Sequence, residues 1–200
     1  IINELYGRGN ISENRKTKYI NYLRKFPLFP EFNQVEIERL VVEGTYPMNP
    51  VALALLPNVS SLFGQNERTL FTFLESRQVG GLMYFVTKKE EEVYTAAHLF
   101  DYFFPNVEEL DLEEGFEELG TYQKIIKKTP HLDNKHLAVL KFVTLWNIVG
   151  FQATYPLTTD LIAFALDSDE DETENVLNKL ANNKVIRFNS ILGYWELFEG

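Results

Sequence analysis

The sequence predicts a mainly α-helical protein, a helical lid-like bundle followed by a winged-helix domain that closes on a C-terminal β-hairpin. Three observations carry this. Apolar residues recur three and four apart through most of the chain, the spacing that builds one face of a helix. From Lys135 to Phe198, two short helical patterns, an acidic third helix and two short apolar strands follow in the order of a winged helix. Between these parts, Glu108 to Glu118 holds seven acids and no base, the composition of an exposed connector. The expected division is a helical domain over 1–107, the connector with a short helix over 108–130, and the winged helix over 131–200.

Glu13 to Lys25 is the first helix, with Tyr19, Ile20, Leu23 and Phe26 on its apolar side and Arg15, Lys16, Lys18, Arg24 and Lys25 facing out. Pro27 and Pro30 stop it, because proline lacks the amide hydrogen that continues a helix and restricts the residue before it. Asn33 to Val42 predicts a second helix contributing Val35, Ile37, Leu40 and Val41 to the core. Gly44 to Pro50 reads as a stiff, extended link. Asn49 then caps a helix over Val51–Phe63, and Pro50 sits in its first turn, where a missing N–H costs nothing. That helix is apolar nearly all round at its start and is expected to be buried, with a kink at Pro57.

Thr69 to Ser76 resumes the pattern with Leu70, Phe71, Phe73 and Leu74. Gly80-Gly81 marks a turn, and Leu82 to Val86 fits helix or strand equally. Lys88 to Glu92 is a charged loop. Thr95 begins a helix carrying Leu99, Phe100, Tyr102 and Phe103, closed by Pro105. Tyr122 to Lys128 is a short helix leading into the last domain.

There, Leu137, Leu140, Val143, Leu145 and Ile148 share a face, and Gly150 supplies the left-handed residue that ends many helices. Thr159 is expected to cap Asp160–Leu166. Asp169 or Asp171 caps a longer helix reaching Asn183, whose Val176, Leu177 and Leu180 point inward. Val185–Phe188 and Tyr194–Phe198 predict two strands around a loop from Asn189 to Gly193. Leu140, Val143, Trp146, Ile162, Leu177 and Leu180 are the expected core.

Charge narrows the function. The 200 residues carry a formal −10, unevenly spread. Residues 1–30 hold six Lys/Arg against two acids, net +4; the remaining 13 Lys/Arg face 27 acids, net −14. A basic start on an acidic body could dock elsewhere in an assembly, but the same cations suit the exposed face of the first helix. The helix that would read DNA opens with Asp167, Asp169, Glu170, Asp171, Glu172 and Glu174, against Lys179 and, just beyond, Lys184. DNA affinity rests largely on Lys and Arg displacing counterions from phosphates, so DNA binding by this helix is not expected. The acidic surface would suit a protein partner instead.

Zero cysteines exclude disulfides and thiolate chemistry. No signal peptide and no apolar run of membrane-spanning length occurs, so a cytoplasmic location without membrane partners is expected. The chain starts Ile1-Ile2 and stops at Gly200 directly after an apolar strand, from which a longer parent is expected. There is no Gly-x-x-x-x-Gly-Lys-[Ser/Thr], Gly-x-Gly-x-x-Gly, His-Glu-x-x-His or Gly-x-Ser-x-Gly. His98, His131 and His136 are too scattered to indicate a metal. Taken alone, the chain is expected to be neither an enzyme nor a cofactor binder. Arg68 stands apart: in the first turn of a helix, its five-donor fork could reach an anion or pair with Glu67 or Glu75.

Tyr46-Pro-Met-Asn-Pro-Val-Ala-Leu-Ala-Leu-Leu-Pro57 followed by Gln65-Asn-Glu-Arg-Thr-Leu-Phe-Thr-Phe-Leu74 resembles the segment after the ATPase core in large prokaryotic P-loop ATPases of the AAA+/STAND type, many of them carried in bacterial defence or mobile loci. Leu99-Phe-Asp-Tyr102, Val185-Ile-Arg-Phe188 and Tyr194–Gly200 fit the same pattern, and the likeness spans about residues 40–200. Such relatives usually read Tyr-Pro-Leu-His-Pro, where this chain has Asn49 for the histidine. The resemblance implies a helical lid over a nucleotide-binding core, then a winged helix that transmits nucleotide state. It implies Pro47, Asn49 and Pro50 near the nucleotide, Arg68 as a second-sensor arginine on the phosphates, and ATP and Mg held by an upstream core of the same parent. Two other readings compete: a free-standing protein-interaction or regulatory module, and a transcription regulator, which the acidic third helix disfavours.

Overall fold

The computed structural model describes residues 9–63, 66–88, 90–109 and 116–200, with backbone alone for 66–69. The chain divides after Phe103 into two compact units. The described residues are mainly helical, with one two-stranded antiparallel sheet near the C-terminus.

In the first unit, α1 (Glu13–Lys25) starts where the Ser12 hydroxyl accepts the Arg15 amide at 3.3 Å. It buries Tyr19 and Leu23, with Phe26 just beyond its end. Part of its basic side is paired within the unit, while Arg24 and Lys25 stay exposed. Arg15 pairs with Glu92 at 2.6 Å, and Lys16 lies 2.9 Å from Glu38 and 2.5 Å from Glu43, so these cations are spent inside their own unit. The two carboxylates push the Lys16 ammonium above the ordinary lysine range.

The second helix departs from expectation. A single α turn, α2 (Gln34–Glu36), opens with a reciprocal capping box between Asn33 and Glu36 and continues as a π-helix over Ile37–Glu43. Hydrogen bonds to the fifth residue put more residues in each turn, so the apolar face rotates away from α spacing. Val41 and Val42 are buried, whereas Val35 is 71% and Leu40 36% exposed. The link after it is not extended but a series of turns: the Thr45 hydroxyl donates to the Val41 carbonyl at 2.5 Å and the Met48 amide to the Thr45 carbonyl at 2.8 Å.

Helix α3 (Pro50–Ser61) is capped by Asn49 and buries eight residues. It runs on through Pro57, whose place on the exposed face leaves the donor-less Leu53 carbonyl at a part-exposed position. Around it pack α4 (Asn66–Glu75) and α6 (Ala96–Phe103), and α5 (Leu82–Lys88) packs on α4. Leu82–Val86 is therefore helix rather than strand. The helix also takes Lys88 from the expected charged loop.

The second unit begins with a short 3-10 turn, Val107–Glu109, whose Val107 carbonyl accepts the buried Gln123 amide from α7 (Glu117–Lys128). Residues 110–115 of the expected connector lie outside the described residues. Its last acids, Glu117 and Glu118, form the first turn of α7, five residues before the expected start at Tyr122.

Helix α8 (Asn134–Ile148) is the centre of this unit, packed by α7, by α9 (Thr159–Ala165), by α10 (Glu170–Asn182) and by the hairpin. Because it is covered on most sides, burial is not confined to the predicted stripe: Val139, Phe142, Thr144 and Trp146 are buried, while Leu137 and Ile148 are only half-buried. Asp133 caps it, accepting the His136 amide at 3.1 Å; the His136 ring, 2.6 Å away, and then that amide hold the Asp133 carboxyl below its ordinary range.

The cap of α9 is Thr158, one residue earlier than expected. Its end is closed by Asp167 at φ 52°, the Ser168 amide donating to the Ala163 carbonyl at 2.9 Å and the Asp167 amide to the Phe164 carbonyl at 3.2 Å. Helix α10 opens with Asp169 accepting the Asp171 and Glu172 amides at 2.9 and 3.2 Å and closes the same way, on Lys184 at φ 59°. Both closures are Schellman motifs, which satisfy carbonyls that a helix end otherwise leaves unpaired. Strands β1 (Ile186–Asn189) and β2 (Tyr194–Leu197) pair antiparallel, with Phe188 opposite Trp195. Leu140, Val143, Trp146, Ile162, Leu177 and Leu180 are all fully buried, the core the sequence predicts.

Candidate functional site

The residues singled out on the first unit centre on the head of α3. Prolines at 47 and 50 restrict the backbone on both sides of Asn49, and the Tyr46–Pro47 peptide is cis. The Asn49 side-chain oxygen accepts the Val51 amide at 2.8 Å, the hydrogen bond of an N-cap. Asn49 donates its own amide to the Tyr94 carbonyl, and the Tyr94 amide donates to the Pro47 carbonyl, each at 2.8 Å. Met48 thereby lies opposite Tyr94 in an isolated parallel bridge. Tyr46 through Pro50 are buried.

Tyr94 locks this turn to the rest of the unit. Its ring lies edge-on to Phe73 and Phe85, and its hydroxyl donates to the Gly80 carbonyl at 2.5 Å. Burial pushes the phenol well above its ordinary pKa, so the hydroxyl stays protonated and keeps donating. Gly80, at φ 84°, lies so close to α6 that no side chain fits there.

His98 is packed against aromatic rings. It sits 5.1 Å from the Phe85 and Tyr94 rings. The Thr95 amide donates to its Nδ1 at 3.0 Å. A backbone amide can only donate, so Nδ1 is the acceptor and Nε2 carries the proton, directed at Glu91. His98 thus does for α6 what a glutamate does in a capping box, reaching back to the residue before the helix.

Pro47, Asn49 and Pro50 lie within four residues at the head of α3, and Arg68 lies in the first turn of α4. The Arg68 side chain lies outside the described residues. Tyr94, Gly80, Glu91 and Thr95 were not legible as partners of this turn; the sequence offers only the Gly80-Gly81 pair and the apolar Val93-Tyr94 before a helix.

On the second unit, acids gather at the start of α10, where Lys135 of α8 pairs with Glu172. Arg187 on β1 pairs with Glu196 on β2 at 2.7 Å, so the strand cation nearest the hairpin loop is also engaged. The loop itself is apolar and open: Ile191 is 92% and Leu192 59% exposed. Among the described residues no group of three or more His, Asp or Glu is placed to hold a metal, and no helix is long and apolar enough to cross a membrane. No protein-family model matches the chain, and comparisons with curated proteins and with solved structures return no match.

Proposed function

We propose that this chain is the lid and winged-helix portion of an AAA+/STAND-type ATPase, in which the first unit senses nucleotide phosphates and the second passes that state to a partner. One observation supports it most: a buried, hydrogen-bonded Tyr46–Pro50 turn heads α3 and is followed by Arg68 opening α4, in the order of the family's lid. In this reading Arg68 binds the phosphates better in a closed arrangement than an open one, which is what shifts a two-state equilibrium. Asn49 acts as a positioning residue, since its oxygen is engaged by the Val51 amide, and Pro47 and Pro50, themselves buried, fix the backbone of the turn that lies near the base. ATP and magnesium are held by a P-loop core outside these 200 residues.

The second unit fits a winged helix, with α8, α9 and α10 as its three helices and the β1–β2 hairpin as the wing. Its third helix opens with Glu170, Asp171 and Glu172, so the partner it addresses is protein and not duplex DNA. Fluorescence anisotropy of the chain with duplex DNA at low salt is expected to show no saturable binding at the roughly 1–100 μM typical of non-specific binders. Saturable binding that weakens steeply with salt would overturn this.

The nucleotide role is tested in the full-length protein. Arg68→Ala is expected to lower ATP turnover by roughly 10²–10³, the loss seen when one donor to developing charge is removed. Calorimetry of the 200-residue chain alone is expected to show weak or no ATP binding. Normal turnover and normal nucleotide response in the variant would sink the phosphate-sensing role. Tight ATP binding by the chain would sink the separate core. A second reading, an interaction module with no nucleotide role, is favoured by the exposed Ile191–Leu192 tip. It predicts no effect of Arg68→Ala.

A further inference from the structure

The second unit carries a groove that its core leaves unfilled. It opens between the first half of α8 and the start of α10, with the closure of α9 as its floor, and encloses about 210 Å³. Its apolar lining is Ala138, Val139, Leu166 and Val176; Lys135, Asp167 and Glu172 stand among the polar residues that complete it. The volume decides between classes of ligand. Pockets for nucleotides or similar small molecules run roughly 300–1,000 Å³, so this one is too small for them. It is of the size that takes one or two aliphatic side chains.

Charge decides between partners. Asp167 and Glu172 line the groove, Asp169, Glu170 and Asp171 continue the same turn, and the one base among the described lining residues is Lys135, which pairs with Glu172. An occupant must bring apolar side chains and positive charge together. The chain's own basic helix is not that occupant. The apolar side of α1 is buried in the first unit, and Arg15 and Lys16 are paired there with Glu92, Glu38 and Glu43.

We propose that this groove is a docking site for an amphipathic helix of another protein, which inserts aliphatic side chains between Ala138, Leu166 and Val176 and sets lysines or arginines against Asp167, Glu172 and the first turn of α10. Helix-in-groove recognition of this kind reads apolar anchors three and four residues apart, with flanking charges fixing register and orientation. The partner's cation displaces Lys135 from Glu172, an exchange that costs little because the existing pair is exposed. The site lies within the second unit and stands whether or not Arg68 senses a nucleotide.

The probe is a synthetic 15-residue helical peptide with leucines on one face and lysines on the other, titrated into the isotope-labelled chain and followed by amide chemical shifts. Saturable shifts at Ala138, Val139, Ser168 and Val176 are expected. An otherwise identical peptide with glutamates for lysines is expected to bind at least tenfold more weakly. Ala138→Phe fills the groove from a half-buried position and should abolish the shifts. Its own spectrum reports whether the fold is kept, and Ala138→Leu provides a milder block should it not be. Shifts spread over Glu170, Asp171 and Glu174 with Ala138 and Val176 unmoved would overturn the proposal, since that is adhesion to acids. Equal binding by the glutamate peptide, undiminished binding by both Ala138 variants, or no saturable shift would overturn it too.

Discussion

Trp146→Ala is expected to destabilise the second unit by about 3–5 kcal/mol, the range for truncating a large buried aromatic. Trp146 is fully buried in the last turn of the unit's central helix. Its ring lies 5.3 Å from that of Phe142 and 5.0 Å, edge-on, from that of Phe151, a geometry favourable beyond area burial alone. Its indole N–H also donates to the Tyr155 carbonyl at 2.9 Å. Alanine therefore leaves a cavity and an acceptor without its donor, and the two losses fall at one place. Chemical denaturation monitored by circular dichroism checks it. A loss under about 0.5 kcal/mol, the usual surface value, would mean that the core is not organised around this residue. Trp146→Phe keeps most of the packing and loses the donor, so it should fall between wild type and alanine.

Gly80→Ala is the second large expected effect, at about 2–5 kcal/mol on the first unit. Two costs combine. The backbone at φ 84° is strained for any residue with a Cβ. An added Cβ would also stand 2.5 Å from the Tyr102 amide nitrogen and 2.7 Å from the His98 carbonyl oxygen. Those atoms belong to the backbone of α6 and cannot swing aside as a side-chain tip could. The Gly80 carbonyl moves with the clash and loosens its hydrogen bond from Tyr94. Gly150→Ala is the control: φ is 77° there but nothing lies within 4 Å of the added carbon, so about 1–2 kcal/mol is expected from the backbone alone. Equal losses at the two positions would show that close approach to α6 contributes nothing.

The helices with clean three-and-four spacing and strong caps were legible in the sequence. Glu13–Lys25 and the Asn49–Pro50 start are local features, decided by residues a few positions apart. The π-helix was not, because the widened turn at Ile37–Glu43 breaks the period on which the reading of Val35 and Leu40 rested. Gly120 hid the first turn of α7: a glycine inside a helix weakens its pattern, and burial of Leu119 and Tyr122 compensates. On the candidate site, Pro47, Asn49 and Pro50 announce themselves by chain order. The Tyr94 bridge does not, since its partners lie 14 residues away at Gly80 and roughly three times as far at Pro47 and Asn49, and nothing in a linear pattern encodes such pairings. The groove was invisible for a related reason. Ala138, Leu166 and Val176 each look like ordinary core positions, and only the tertiary arrangement leaves space between them.

The hairpin has a mechanical consequence. Two strands alone are marginal in water, and this pair is only four residues long on each side. Its base is fastened by the second strand: the Trp195 amide donates to the Leu157 carbonyl at 2.8 Å, its indole to the Thr159 hydroxyl at 3.1 Å, and its carbonyl accepts from Gln152 at 3.4 Å. Trp195 thus rivets the strand pair to the segment that leads into α9, and the outer edge of β2 is not left open to pair with another chain. Beyond the rivet, the loop from Ser190 to Gly193 is held chiefly by Asn189, whose side chain accepts the Ile191 and Leu192 amides at 3.2 and 3.1 Å and whose carbonyl accepts the Gly193 amide at 2.7 Å. The hairpin is therefore a lever fastened at Trp195, with an exposed apolar tip at Ile191 and Leu192. A force applied at Ile191 passes to the body of the unit through the Trp195 attachment, and breaking that attachment would uncouple the second strand from the segment before α9.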